Sequence, residues 1–209
     1  MMLYKLNVGI MGVNCYITGD ENEAIVIDPG ANAEKIYNFL KEHNIKTKYI
    51  VLTHCHFDHI LAADELKKLT ETRLVVCEKE KENLWDNEIN MTGRFSKKSA
   101  IAENLMPDIL VSEGDILKSG EHTFKILETP GHTSGGMCLY NEKEKVLFSG
   151  DTLFCESIGR CDFPTGNLET LLNSIREKLF CLPDDTRVLP GHESETTILH
   201  EKTHNPFLR

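Results

Sequence analysis

Short apolar runs bounded by glycine, proline, asparagine or aspartate recur along the chain, and longer amphipathic stretches separate some of them. The runs at 3–8, 15–18, 24–28, 49–53, 73–77, 123–129, 137–140, 146–149 and 187–189 are rich in β-branched and aromatic residues and read as strands. The polar stretch 141–145 between two of them suits a hairpin. Helices are expected at 32–43, 60–69, 168–180 and about 193–203. In the first, Ile36, Phe39 and Leu40 follow the i, i+3, i+4 spacing of one helical face. In the third, Leu168, Leu171, Leu172, Ile175 and Leu179 share a face, and Asn167 stands where a capping side chain belongs. Strands come both in hairpin succession and separated by helices. That alternation predicts a mixed sheet, or two sheets, with helices over the outer faces. Segment 85–106 fits neither period and carries Gly93, Arg94, Lys97 and Lys98, which reads as a lid or binding loop whose cations could meet an anionic substrate arm.

Composition narrows the classes of partner. Of 209 residues 40% are apolar and 27% charged, the balance of a folded globular chain, and residues 1–209 read as one domain. With 23 basic against 33 acidic side chains the net charge is -10, which speaks against nucleic acid and against an anionic membrane surface. The seven cysteines are scattered and none form a CxxC pair, so no disulfide framework is expected and a reducing cytoplasm is the simpler setting. The N-terminal residues lack the basic and then apolar pattern of a signal peptide, and no apolar run is long enough to span a bilayer.

The nine histidines carry the chemical signal. Three fall in Thr53-His54-Cys55-His56-Phe57-Asp58-His59, directly after the apolar run 49–52. In extended backbone His54 and His56 point to one side, and Asp58 and His59 sit at the turn into a helix. Imidazole and carboxylate together suit zinc or iron. His132 and His192 each follow an apolar run and a Pro-Gly pair, and Asp151 follows 146–150 in the same way. Four strand ends thus deliver five histidines and two aspartates, enough for two metal ions with a shared carboxylate. The other histidines read differently: His43 at a helix end, His122 in a polar turn, and His200 and His204 as surface residues one turn apart. Cys55 and Cys161 read as packed thiols, and Arg160 with Asp162 as an ion pair or, in the case of Arg160, a substrate contact.

Together the motifs His54-x-His56-x-Asp58-His59, Gly131-His132-Thr133, Gly150-Asp151-Thr152 and Pro190-Gly191-His192, with the early Asp28-Pro29-Gly30, resemble the metallo-β-lactamase-fold hydrolases. Asp151-Thr152-Leu153-Phe154, the stretch 157–163 and Asn205-Pro206-Phe207-Leu208 make the chain similar to the glyoxalase II (hydroxyacylglutathione hydrolase) group, in the short bacterial form without a C-terminal helical domain. The resemblance implies an α+β fold, the four-layer αββα sandwich. It implies that His54, His56 and His132 hold a first divalent ion, that Asp58, His59 and His192 hold a second, and that Asp151 bridges them. The ions would be zinc, iron or manganese. A water they activate would attack a small-molecule thioester, with Asp58 as the catalytic residue that orients it. Longer members bind glutathione largely through that C-terminal domain, so the resemblance extends to thioester hydrolysis and not to the recognition of glutathione. Gly159-Arg160-Cys161-Asp162-Phe163 also resembles the persulfide dioxygenases, which would use one iron on His54, His132 and Asp151. A lactonase and a non-catalytic metal-binding module complete the alternatives.

Overall fold

The computed structural model describes residues 1–95 and 105–209. Its first sheet is built from β1 (Met2–Val8), β2 (Val13–Gly19), β3 (Glu23–Ile27), β4 (Lys46–Val51), β5 (Arg73–Cys77) and β6 (Ile109–Val111), in that spatial order. β1 to β3 are antiparallel neighbours, and β3 to β6 run parallel. The parallel half requires crossovers, which α1 (Ala33–Glu42), α2 (Phe57–Ile60) and α3 (Ala63–Thr70) supply, followed later by α4 (Thr92–Phe95). The second sheet contains β7 (Ile116–Ser119), β8 (His122–Glu128), β9 (Met137–Asn141) and β10 (Val146–Gly150). After the two-stranded β11 (Leu153–Phe154) and β12 (Ser157–Ile158), α5 (Leu168–Ser174) leads to β13 (Arg187–Pro190), β14 (Thr196–Thr197) and α6 (Ile198–His204). The second sheet's order is β14-β13-β10-β9-β8-β7, with β13 parallel to β10.

Three apolar layers account for the stacking. Ile25, Ile27, Val51 and Val75 of the first sheet meet Phe124, Ile126, Leu139 and Phe148 of the second. The opposite face of the first sheet, with Val26, Ile50, Leu74 and Val76, packs on Ile36 and Leu40 of α1 and Leu66 of α3. The outer face of the second, with Cys138, Leu147 and Val188, packs on Leu171 of α5 and Ile198 of α6. Helix, sheet, sheet and helix therefore form the αββα sandwich of the metallo-beta-lactamase fold. Central strands are buried on both faces, which is why they read as unbroken apolar runs rather than alternating ones. Each fully buried aliphatic side chain contributes about 1.5–3 kcal/mol, against about 1 kcal/mol for a helix cap, so these layers decide the stability.

The elements depart from the expected pattern in physically clear ways. β6, β7, β11, β12 and β14 are two to four residues long, too short to show a period. Asn167 caps α5 as expected, accepting from Thr170 N at 2.9 Å. Asn32 does not cap α1: its side chain accepts from Gly9 N at 3.0 Å and holds the β1–β2 turn instead. The helix expected at 168–180 ends in a wide turn in which Phe180 N donates to Ile175 O. The one expected at 193–203 begins only at Ile198, after β14. His122, expected in a polar turn, is buried at the start of β8. Of the expected lid, Lys97 and Lys98 lie outside the described residues. Among the described residues, no helix is long and apolar enough to cross a membrane.

Candidate metal centre

Every sequence-nominated ligand leaves the C-terminal end of a strand, and the two sheets bring those ends together. His54, His56, Asp58 and His59 follow β4; His132 follows β8, Asp151 follows β10, and His192 follows β13. The ring centroids of His54, His56 and His132 stand 4.6–4.8 Å apart. Donor atoms within 4.8 Å of one another form three sets: His54, His56 and His132; His54, His59 and Asp151; and Asp58, His59 and His192. Asp151 sits between the halves. Its Oδ1 is 3.3 Å from His59 Nε2, and its Oδ2 is 3.7 Å from His132 Nε2 and 3.6 Å from His192 Nε2. His192 Nε2 is 3.2 Å from Asp58 Oδ2. Two donors on a tetrahedral zinc with bonds of about 2.0–2.1 Å lie about 3.3–3.5 Å apart, so these separations suit atoms that share an ion.

The far nitrogens of His54, His59 and His132 support that reading. His59 Nδ1 donates to Asp28 Oδ2 at 2.9 Å, and His132 Nδ1 donates to the Arg160 carbonyl at 2.7 Å. Thr53 Oγ1 donates to Asp28 Oδ2 at 2.7 Å, which leaves it to accept from His54 Nδ1 at 3.1 Å. A proton held at Nδ1 leaves the lone pair on Nε2. The Nε2 atoms of His54, His56, His59 and His132, and Oδ1 of Asp151, are buried without a hydrogen-bond partner. Buried polar atoms are almost always satisfied, and five orphans converging on one point fit a metal cation.

Electrostatics divides the cluster into two halves. Burial, helped by His59 and His56, pulls His54 well below the usual imidazole range, and burial with His132 brings His56 to about 3. Both shifts favour the neutral ring, the form in which imidazole acts as a ligand. Burial also opposes charge on His59, but Asp151, Asp28 and Asp58 outweigh it and hold that ring well above the usual range. Burial disfavours ionised Asp151, yet His59 and His54 carry it well below the usual carboxylate range. Asp58 is likewise lowered against burial, by His59 and His192. The half around Asp58, His59 and His192 thus attracts positive charge strongly, whether a proton or a divalent ion.

Two supporting carboxylates were invisible in the sequence as site residues. Asp28, at a φ of 52°, accepts from Thr53 N at 2.8 Å in addition to Thr53 Oγ1 and His59. The only signal for it was Asp-Pro-Gly at a strand end. Glu80 lies in the charged run 78–82, yet it is 1% exposed. Its carboxylate accepts from Cys55 N at 3.1 Å and from Gly135 N at 2.7 Å, tying the His54–His56 loop to the loop that carries His132. Gly191, expected simply to make a turn, has a second role: a Cβ there would lie 2.4 Å from Asp151 Oδ1 and 2.6 Å from His59 Cε1.

A cleft of about 510 Å³ opens over the cluster, walled by Met11, Phe154, Ile158 and Phe163 and reaching Arg160. Arg160 makes the expected ion pair with Asp162 and also faces this cleft. Cys55 is packed as expected, and Cys161 is partly buried. His200 and His204 stack on each other at 4.5 Å. His200 also approaches Cys155 and Glu201, but Glu201 is occupied by Thr196, Glu156 N and Asn205, so it serves the fold.

The comparisons agree with this architecture. The profile of the Metallo-beta-lactamase superfamily matches residues 8–192. The Haemophilus influenzae (strain Rd) protein named hydroxyacylglutathione hydrolase GloC is 39% identical over 210 residues, covering 97% of this chain and 98% of its own. The crystal structure of BLEG-1 B3 metallo-beta-lactamase has a TM-score of 0.93 at 38% identity and covers 99% of both chains. That of TTHA1623 in a di-iron-bound form has a TM-score of 0.88 at 30% identity, covering 98% of this chain and 100% of that one. Sequence motifs, the four-layer fold and relatives matched from end to end lead to one conclusion: the chain belongs to the metallo-beta-lactamase superfamily.

Proposed function

We propose that the protein is a metal-dependent thioester hydrolase acting on a hydroxyacylglutathione-type substrate, with residues 1–209 as one catalytic domain. The observation that carries the reading is the convergence of five histidines and two aspartates on one point, with orphaned Nε2 atoms in their midst. The 39% identical Haemophilus protein named hydroxyacylglutathione hydrolase supports the substrate class. In this reading His54, His56 and His132 hold one ion, Asp58, His59 and His192 the other, and Asp151 serves both. Two divalent ions, when bound, lower the pKa of water and polarise a carbonyl.

The side chains do the rest. Asp58, beside His192 at the cleft floor, accepts a hydrogen bond from the attacking water and sets its direction. Asp28 and the Arg160 carbonyl keep His59 and His132 in the tautomer a ligand needs. Phe154, Ile158 and Met11 line the apolar wall against which the substrate packs. Water adds to the thioester carbonyl, the C–S bond breaks, and a hydroxy acid and a thiol leave.

The test pairs metal analysis with turnover. Protein loaded with zinc, iron or manganese should hold about two ions per chain and hydrolyse S-lactoylglutathione. A fully loaded protein that leaves this thioester intact but opens a β-lactam or a lactone, or consumes oxygen with a persulfide on a single iron, overturns the reading.

Asp28→Asn supplies a further check. An amide must turn its NH2 towards Thr53 N or towards His59 Nδ1, so the carboxylate that anchors the His59 ring is lost or reduced to one neutral acceptor already strained against Thr53. Affinity for the ion at Asp58, His59 and His192 should fall about 10–100-fold, as read by chelator competition. Unchanged affinity would show that His59 is held by packing alone.

A further inference from the structure

The cleft wall beside His56 and His132 carries Phe163 and Arg160, which the hydrolytic chemistry leaves unused, and Arg94 lies beside Phe163. The Phe163 ring stands edge-on to both histidines, with centroids 5.6 Å from His56 and 6.5 Å from His132. The Arg160 guanidinium lies over that ring, 4.2 Å from its centroid, and the Arg94 guanidinium lies 5.9 Å from the same centroid. The two cations arrive from separate segments, α4 and the loop after β12. Among the described residues one carboxylate pairs with them: Asp162 accepts from Arg160 Nε at 2.9 Å and from Nη2 at 2.7 Å. Those bonds use one edge of the guanidinium fork and leave Nη1 outside the pair. An aromatic face therefore leads from the histidines to a cluster with a surplus of one positive charge.

Arg160 has a separate tie to the centre, because its carbonyl accepts from His132 Nδ1 at 2.7 Å. The backbone serves the histidine and the side chain serves the cleft. Changing the side chain leaves that carbonyl in place.

We propose that Phe163, Arg160 and Arg94 form the subsite for the thiol arm of the substrate and that it selects thiols bearing a carboxylate. The proposal rests on the thioester reading above and adds which end of the substrate is recognised, and by what. A planar guanidinium matches a carboxylate edge to edge. Stacking on Phe163 holds the Arg160 fork against the ring, so little freedom is lost when an anion arrives. Asp162 occupies one edge of the fork and offsets part of its charge, so it competes with the substrate carboxylate. A neutral thiol of the same shape gains the contact with Phe163 but not the charge.

The experiment compares S-lactoylglutathione with its dimethyl ester, which differ only in thiol-arm charge. The free acid should have a kcat/KM about tenfold higher, the gain expected of charge-assisted hydrogen bonds at a solvent-open site. The ratio should fall to about one in R94A/R160A and rise in D162N, which frees the Arg160 fork. A ratio near one in the parent, or one that the double substitution does not alter, overturns the proposal. Calorimetric binding of S-methylglutathione and its dimethyl ester to the metal-loaded protein decides the matter separately from turnover. Tighter binding of the acid, lost in R94A/R160A, upholds the subsite, and equal binding overturns it. If the loaded protein turns over neither thioester, the hydrolase reading fails, while the calorimetry still decides whether the subsite selects the acid.

Discussion

If the protein is the dinuclear thioester hydrolase proposed above, Asp151→Ala is expected to strip the centre of its metal and reduce thioester hydrolysis by about 10³-fold or more. Asp151 is the side chain that faces both halves of the cluster, with oxygens 3.3–3.7 Å from His59, His132 and His192. Without it the two ions would have Asp58 as their sole carboxylate, so their mutual repulsion would be left largely uncompensated. Metal per chain and turnover should therefore fall together in the same preparation. The fold should survive, because the buried apolar layers do not depend on Asp151. Circular dichroism should match the parent, and the apo variant should melt within a few degrees of apo parent. A variant that keeps two ions per chain and full activity would remove Asp151 from the centre and with it the proposed bridging role.

Glu80→Ala has the second largest expected effect, and it acts on stability as well as on the centre. The substitution leaves the Cys55 and Gly135 backbone N–H groups buried without an acceptor. Each such group costs about 1–3 kcal/mol, so a loss of about 2–5 kcal/mol is expected. For a chain of this size that lowers Tm by about 5–15 °C. The two loops joined by Glu80 carry His54, His56 and His132, so affinity for the ion proposed to sit there should weaken about 10–100-fold. Glu80→Gln keeps one acceptor oxygen but turns an NH2 towards a backbone N–H, and should lie between parent and alanine in both measurements. If the alanine variant melts with the parent and competes equally well with a chelator, the loops are held by their own strands and Glu80 is incidental.

The seven nominated ligands were legible because each lies next to its strand in sequence. A metal-binding side chain at a strand end leaves a local signature: an apolar run, a turn, then histidine or aspartate. Asp28 left part of that signature, in Asp28-Pro29-Gly30 at the end of β3, but not its supporting role, and Glu80 left none, because their partners are 25 to 55 positions away. Glu80 was actively misleading, since the run 78–82 alternates charge as an exposed turn would. The short edge strands were missed for another reason. Two to four residues cannot display a period of two, and their backbone is ordered by the neighbouring strand rather than by their own propensity. Asn32 shows the same override, its side chain bonding the distant Gly9 in preference to its own helix.

By itself the sequence determined where the longer strands form and which histidines and aspartates stand at their ends. These are properties of neighbours in the chain, set by apolar runs, turn residues and the chemistry of each side chain. Tertiary structure alone decided that β4, β8, β10 and β13 end at one point, that Asp151 faces both triads, and that a buried glutamate joins two ligand loops. It also decided that Arg94 and Arg160 approach one phenylalanine ring from distant segments of the chain. Each of these depends on contacts across tens of residues, formed by the packing of two sheets face to face, and no local pattern encodes where two sheet edges will meet.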